Sequence, residues 1–341
     1  MRRFLVVLAL VVGISPVWSS GAAPSRQYLL HVPPGPAVAG RPLVVVLHGC
    51  EESAKDIKAQ SGWDELADRE GFVVVYPDQL VSVGSSAPLA DGNGAGCWNW
   101  FLPEDQQRDM GEPGMIADIT RTVLSQQQAD PSRVYVAGLS AGADMAVILA
   151  ATYPDLYAAV GSEAGCPYAT CTDAAGLLAY RAMGPRARVV PMLVEQGTAD
   201  TLNPFPQSQA LVSSWLGTDD WADDGARNGS VPATPAAVEH HGFDQTPQPG
   251  TGDPCVRSLN WPCPGGIVGF QDSYPYTVEH YADGAGCGIL DFWIIHGMEH
   301  AQPHASSGPF SDPLGPDVTA ALWSFFRAHP LGACSSGSPS S

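Results

Sequence analysis

Five short runs, apolar at nearly every position, alternate along this chain with stretches of helical spacing. The runs are LVVVL at 43–47, FVVVY at 72–76, VYVA at 134–137, AAVGS at 158–162 and VVPMLVE at 189–195. A strand with one wet face alternates apolar and polar residues. A strand apolar on both faces belongs inside a parallel sheet that is covered on both sides. Helical patterns fall between or after these runs, at 63–70, 115–128, 143–153, 207–216 and 316–329. The last begins with Pro316 and spaces Leu322, Phe325 and Phe326 along one face. This alternation predicts an α/β protein with a doubly wound, mostly parallel sheet and helices on both faces.

One segment breaks the rhythm. Residues 217–273 are rich in Gly, Pro, Asp and Asn and carry no long periodic run. So long a stretch inside a compact domain reads as an insertion, here held by Cys255 and Cys263. Strand patterns return at 277–281 and at 289–295 (ILDFWII), and the Ser/Gly/Pro-rich tail 335–341 reads as a flexible end. At the other end, Arg2 and Arg3 precede an apolar run from Phe4 to Val17 and small residues from Ser19 to Ala23. This is the pattern of a secretion signal over 1–23, too short for a membrane span, leaving 24–334 as one catalytic domain.

The eight cysteines, Cys50, Cys97, Cys166, Cys171, Cys255, Cys263, Cys287 and Cys334, are even in number and suit an oxidising, extracellular destination. No CxxC pair occurs, so disulfides are favoured over zinc, but sequence alone fixes no pairing. A formal net charge of −19 argues against nucleic-acid or anionic-membrane partners, which need a basic face. It is compatible with a neutral substrate.

The chemistry centres on Gly138-Leu139-Ser140-Ala141-Gly142, a G-x-S-x-G with the strand VYVA before it and the helix pattern ADMAVILAATY after it. In that setting the serine sits on a sharp strand-to-helix turn, the nucleophile elbow of the α/β-hydrolase fold. A serine hydroxyl attacks only when a base takes its proton and an acid orients the base. In this fold the partners follow in the order acid, then His, on loops after later strands. The acid is expected at Asp200, in the loop after 189–195. Glu195 is a rival, set aside as facing solvent from the strand end. Of His296, His300 and His304, the base is expected at His300, between the last strand and the last helix. His296-Gly297-Met298-Glu299-His300 also matches H-x-x-E-H, but that zinc motif needs a helix, which Gly297 and Pro303 oppose. No cofactor or metal is expected. Two backbone amides should face the developing oxyanion. One is that of Ala141, and the other comes from the loop His48-Gly49-Cys50.

At these residues the chain resembles the secreted poly(3-hydroxybutyrate) depolymerase family, whose relatives include feruloyl and acetyl-xylan esterases. The matching stretches are Leu47-His48-Gly49-Cys50, Tyr76-Pro77-Asp78-Gln79, Cys97-Trp98-Asn99-Trp100-Phe101, Gly138-Leu139-Ser140-Ala141-Gly142, Gly197-Thr198-Ala199-Asp200 and Gly297-Met298-Glu299-His300. The resemblance implies Ser140, Asp200 and His300 as the triad and the amides of Cys50 and Ala141 as the oxyanion hole. It also implies a Cys50–Cys97 bridge and a place for Trp98 near the substrate crevice. The chain departs from the family at Glu51-Glu52, where Gln often stands at the second position, at Glu299 in place of a small Gly, and in the length of the 200–300 segment. No separate polymer-binding domain is expected here.

The expected activity is therefore ester hydrolysis through an acyl-enzyme, with short-chain polyhydroxyalkanoate or its oligomers as substrate. Feruloyl or acetyl-xylan esterase activity on plant polysaccharide is the alternative within the class, and acyl transfer keeps the same triad. An inactive hydrolase fold acting as a binding module is the alternative outside it.

Overall fold

The computed structural model describes residues 27–79, 95–242 and 273–334. The expected secretion signal, Cys255, Cys263 and the tail after 334 lie outside them. The elements run β1 (Tyr28–His31), β2 (Leu43–Leu47), α1 (Ala54–Gln60), α2 (Trp63–Glu70), β3 (Val73–Pro77), α3 (Gly111–Gln126), β4 (Val134–Leu139), α4 (Ala141–Thr152) and β5 (Ala159–Glu163). They continue with the single turn α5 (Tyr168–Cys171), α6 (Leu177–Met183), β6 (Met192–Gly197), α7 (Phe205–Ala222), β7 (Ala237–His241), β8 (Tyr276–Ala282), β9 (Gly288–Ile295), the short pair β10 (Gln302–Pro303) and β11 (Ser311–Asp312), and α8 (Val318–Ala328).

Nine strands form one sheet in the order β1-β3-β2-β4-β5-β6-β9-β8-β7. The six central strands are parallel, and β1, β8 and β7 pair antiparallel at the two edges. The apolar runs form this centre because both of their faces are covered. In β2, Leu43, Val45 and Leu47 join the core beneath α3, α4, α6 and α7. Val44 and Val46 point the other way, into the core beneath α1, α2 and α8. In that second layer Tyr135 of β4 stacks on Phe326 of α8 at 4.8 Å, and Phe72 stacks on Trp323 at 4.0 Å.

Three features depart from the sequence expectations. Helix α7 does not stop at 216; it runs to Ala222, carrying the first residues assigned to the insertion. Gly217, the first residue of the expected insertion, lies where α7 meets the 175 loop, and a Cβ there would come within 2.6 Å of the Ala175 carbonyl. Inside the expected insertion, 237–241 is strand β7, bonded to β8 along its length. Helix α1 was not foreseen, although Ser53 and Asp56 form a capping box at its start.

Cys50 is bonded to Cys97, as the resemblance implies, and Cys166 to Cys171 and Cys287 to Cys334. Among the described residues, no helix is long and apolar enough to cross a membrane.

Candidate active site

Ser140, Asp200 and His300 all leave the carboxyl ends of parallel strands, β4, β6 and β9 respectively. Ser140 caps α4 with φ 57° and ψ −123°. A non-glycine residue persists in this region only when its surroundings hold it there. The two motif glycines are needed because the turn is so tight. A Cβ on Gly138 would fall 2.4 Å from the carbonyl of Gly142, and one on Gly142 would fall 2.3 Å from the carbonyl of Leu47.

His300 Nδ1 lies 2.7 Å from Asp200 Oδ2. The loops that carry them are joined through the backbone: the amides of Thr198 and Ala199 donate to the carbonyls of Ile295 and Met298. Asp200 Oδ1 accepts from the amides of Leu202 and Asn203, both at 2.8 Å, and Oδ2 also accepts from Gln196 Nε2 at 2.9 Å. Burial pushes this carboxyl up, but the bond from His300, the Asn203 amide and Gln196 outweigh it and hold Asp200 below its ordinary value. It is thus an anion held in place, as an orienting acid requires. Among the described residues Ser140 makes no side-chain hydrogen bond. Catalytic contacts of this kind tighten when substrate binds.

Of the other histidines, His296 lies 2.9 Å from Thr277 Oγ1 and His304 is exposed. The 296–300 segment is a turn with Gly297 at φ 88°, not a helix, so His296 and His300 do not share the face that a zinc motif needs.

The loop expected to supply an oxyanion donor is built on His48. Its Nε2 accepts from the Gln79 amide at 3.0 Å, leaving Nδ1–H to face the Gly49 carbonyl at 2.8 Å. Burial pushes the His48 imidazole down, which favours this neutral form. The amide of Gly49 donates to Glu52 Oε2 at 2.8 Å, and that of Glu51 to the Ala95 carbonyl at 2.7 Å. The amides of Cys50 and Ala141, the two expected donors, have no acceptor among the described residues.

Two expectations need correction. Trp98, which the resemblance places near the substrate crevice, offers no surface to a substrate: it is 0% exposed, packs against the His48 ring and donates from Nε1 to the His48 carbonyl at 3.1 Å. It supports the oxyanion loop from within the core. Glu195 does not face solvent: it is buried, and neither carboxyl oxygen has a hydrogen-bond partner. Burial first, then the charges of Glu163 and Asp200, push it well above its ordinary value, and it is Asp200 that the His300 ring meets. Sequence reasoning missed Gln196 and saw Glu52 only as a departure from the family pattern, because both act through hydrogen bonds, to Asp200 and to the Gly49 amide, that depend on the folded loops.

Residues 26–213, more than half of the chain, match the family described as esterase PHB depolymerase. The chain belongs to this family. Among relatives of the esterase PHB depolymerase family, poly(3-hydroxyalkanoate) depolymerase C of Paucimonas lemoignei is 33% identical over 298 residues, which cover 86% of this chain and 63% of that protein. Acetylxylan esterase A of Emericella nidulans is 31% identical over 166 residues, covering 46% of this chain and 49% of that one. The chain spans less than two thirds of the length of the first curated relatives that it matches. Among solved structures, the acetyl xylan esterase from Aspergillus awamori matches with a TM-score of 0.58 at 20% identity, covering 88% of this chain and 93% of that one. That likeness is one of fold, and this family member has the α/β-hydrolase fold.

Proposed function

We propose that this chain is a secreted carboxylic-ester hydrolase that cleaves short-chain polyhydroxyalkanoate or its oligomers, with Ser140, Asp200 and His300 as the triad. One observation carries the reading. The Asp200–His300 pair stands, like Ser140, at the carboxyl ends of the central parallel strands, and the Cys50 and Ala141 amides are unengaged among the described residues. His300 Nε2 takes the proton of Ser140 as Oγ bonds to the ester carbonyl carbon, and the oxyanion is received by the two amides. Collapse breaks the bond to the alcohol oxygen, which takes the proton from His300. Water, deprotonated by His300 in turn, then releases the acid from Ser140. The relative named a poly(3-hydroxyalkanoate) depolymerase favours the polyester substrate. The three disulfides among the described residues and the N-terminal pattern favour an extracellular setting.

Relatives named acetylxylan esterases favour a second reading, with an acetylated polysaccharide as substrate. Two experiments test both. Ser140→Ala is expected to fold as the parent does and to lose at least 10³-fold of kcat on p-nitrophenyl butyrate; activity within tenfold of the parent rejects the nucleophile. A parallel assay on hydroxybutyrate oligomers, acetylated xylan and methyl ferulate ranks the substrates. Highest kcat/KM on xylan replaces the polyester reading.

A further inference from the structure

Glu52 is a buried carboxylate beside the nucleophile that the triad does not use. Its two oxygens have different tasks. Oε2 accepts the Gly49 amide at 2.8 Å, and Oε1 accepts from the side chain of Gln60, the last residue of α1. Gln60 is itself buried, and its own Oε1 lies 3.4 Å from the Ser311 hydroxyl, in the segment that follows His300. Gly49 is wedged between this carboxylate and the nucleophile: a Cβ there would lie 3.1 Å from Glu52 Oε2 and 3.4 Å from the Cβ of Ser140.

Successive amides in a tight loop compete for whatever acceptor comes near. Here the Gly49 N–H is drawn to Glu52 and the Glu51 N–H to Ala95, so the Cys50 N–H between them is the one left to the reacting centre.

The geometry points to Glu52 as a positioning residue for the reaction: it selects the Cys50 amide as oxyanion donor by holding that of Gly49. This rests on the triad reading above. Burial pushes the Glu52 carboxyl above its ordinary value, and the bonds from the Gly49 amide and Gln60 offset this only in part; either protonation state keeps an oxygen for the Gly49 amide.

Two variants test this. Glu52→Gln keeps an acceptor for Gly49, so its kcat should stay within about tenfold of the parent. Glu52→Ala removes the acceptor. Its kcat should fall about 10²-fold with KM changed less than about threefold, the signature of a lost transition-state donor. A parental kcat in Glu52→Ala, or a loss in Glu52→Gln as large as that in Glu52→Ala, overturns the proposal; should Glu52→Ala fail to fold, Glu52→Gln decides alone, a kcat loss beyond about tenfold overturning it. Ser140→Ala, assayed alongside, distinguishes the two levels. If it is active the triad reading has failed, whereas if it is dead and both Glu52 variants behave as the parent, only this inference has.

Discussion

Four residues past the nucleophile, Asp144 lies buried in the first turn of α4, accepting the Cys166 amide at 2.9 Å. Burial pushes its carboxyl up to about 8, and that one bond opposes the shift only in part. The folded protein therefore keeps a proton that the unfolded chain releases near pH 4. Between those values the native state binds more protons than the unfolded one, so stability falls as pH rises, by up to about 1.4 kcal/mol per unit for one group. Glu163, pushed up to about 7 by burial, adds a slope of the same sign over a narrower window. Asp200 is shifted the other way and acts only at more acid pH. Urea unfolding of the parent from pH 5 to 8 should show the falling stability, and Asp144→Asn, which mimics the neutral acid, should flatten it. An unchanged slope in the variant removes Asp144 from this account. The residues of the proposed triad could be picked out in the sequence because chain order and strand-loop context point to Ser140, Asp200 and His300 without knowledge of packing; the structure pairs the last two. Trp98 and Glu195 were misread because the direction of a side chain at a strand end or in a loop depends on what covers it.

Among the elements, the central strands were legible because burial on both faces leaves only apolar residues. The edge strands β1 and β7 carry no such mark: β7 is largely exposed, and its AVEHH shows no run that sequence could flag. Its place is set by pairing with β8. The bridge from Cys50 to Cys97 acts at this scale. It ties the oxyanion loop after β2 to the segment carrying Trp98, whose indole holds the same loop from below. Closing a loop of 47 residues should stabilise the fold by about 4 kcal/mol in the chain-entropy model. Replacing both cysteines by Ala should therefore lower Tm and kcat together, whereas replacing Cys287 and Cys334, at the opposite end of β9 from His300, should lower Tm alone. Differential scanning calorimetry with parallel kinetics checks this; a parental kcat in the Cys50/Cys97 variant separates the bridge from the oxyanion loop.

Across the whole molecule, 35 acidic residues face 16 basic ones. Much of this excess negative charge is exposed and repels itself, and salt screens such repulsion within about 10 Å at 0.1 M. Raising sodium chloride from 10 to 300 mM at pH 8 should raise Tm by roughly 2–4 °C. A fall would mean that surface ion pairs, such as Arg108 with Asp155, outweigh the net repulsion.

The backbone bonds between the acid loop and the base loop carry a consequence for how such a chain can be lengthened. Asp200 and His300 are a hundred positions apart, yet β6 and β9 are neighbours in the sheet, and their loops are fastened to each other. Everything between the two strands is a detour whose departure and return points are fixed independently of its length. Doubling such a detour costs only about 0.6 kcal/mol in closure entropy. A foreign domain spliced into it would hang from the sheet edge beyond β9, leaving the pairing of acid and base as it is. The chain between the proposed acid and base can thus grow without parting them, because their own loops and not its length hold them together.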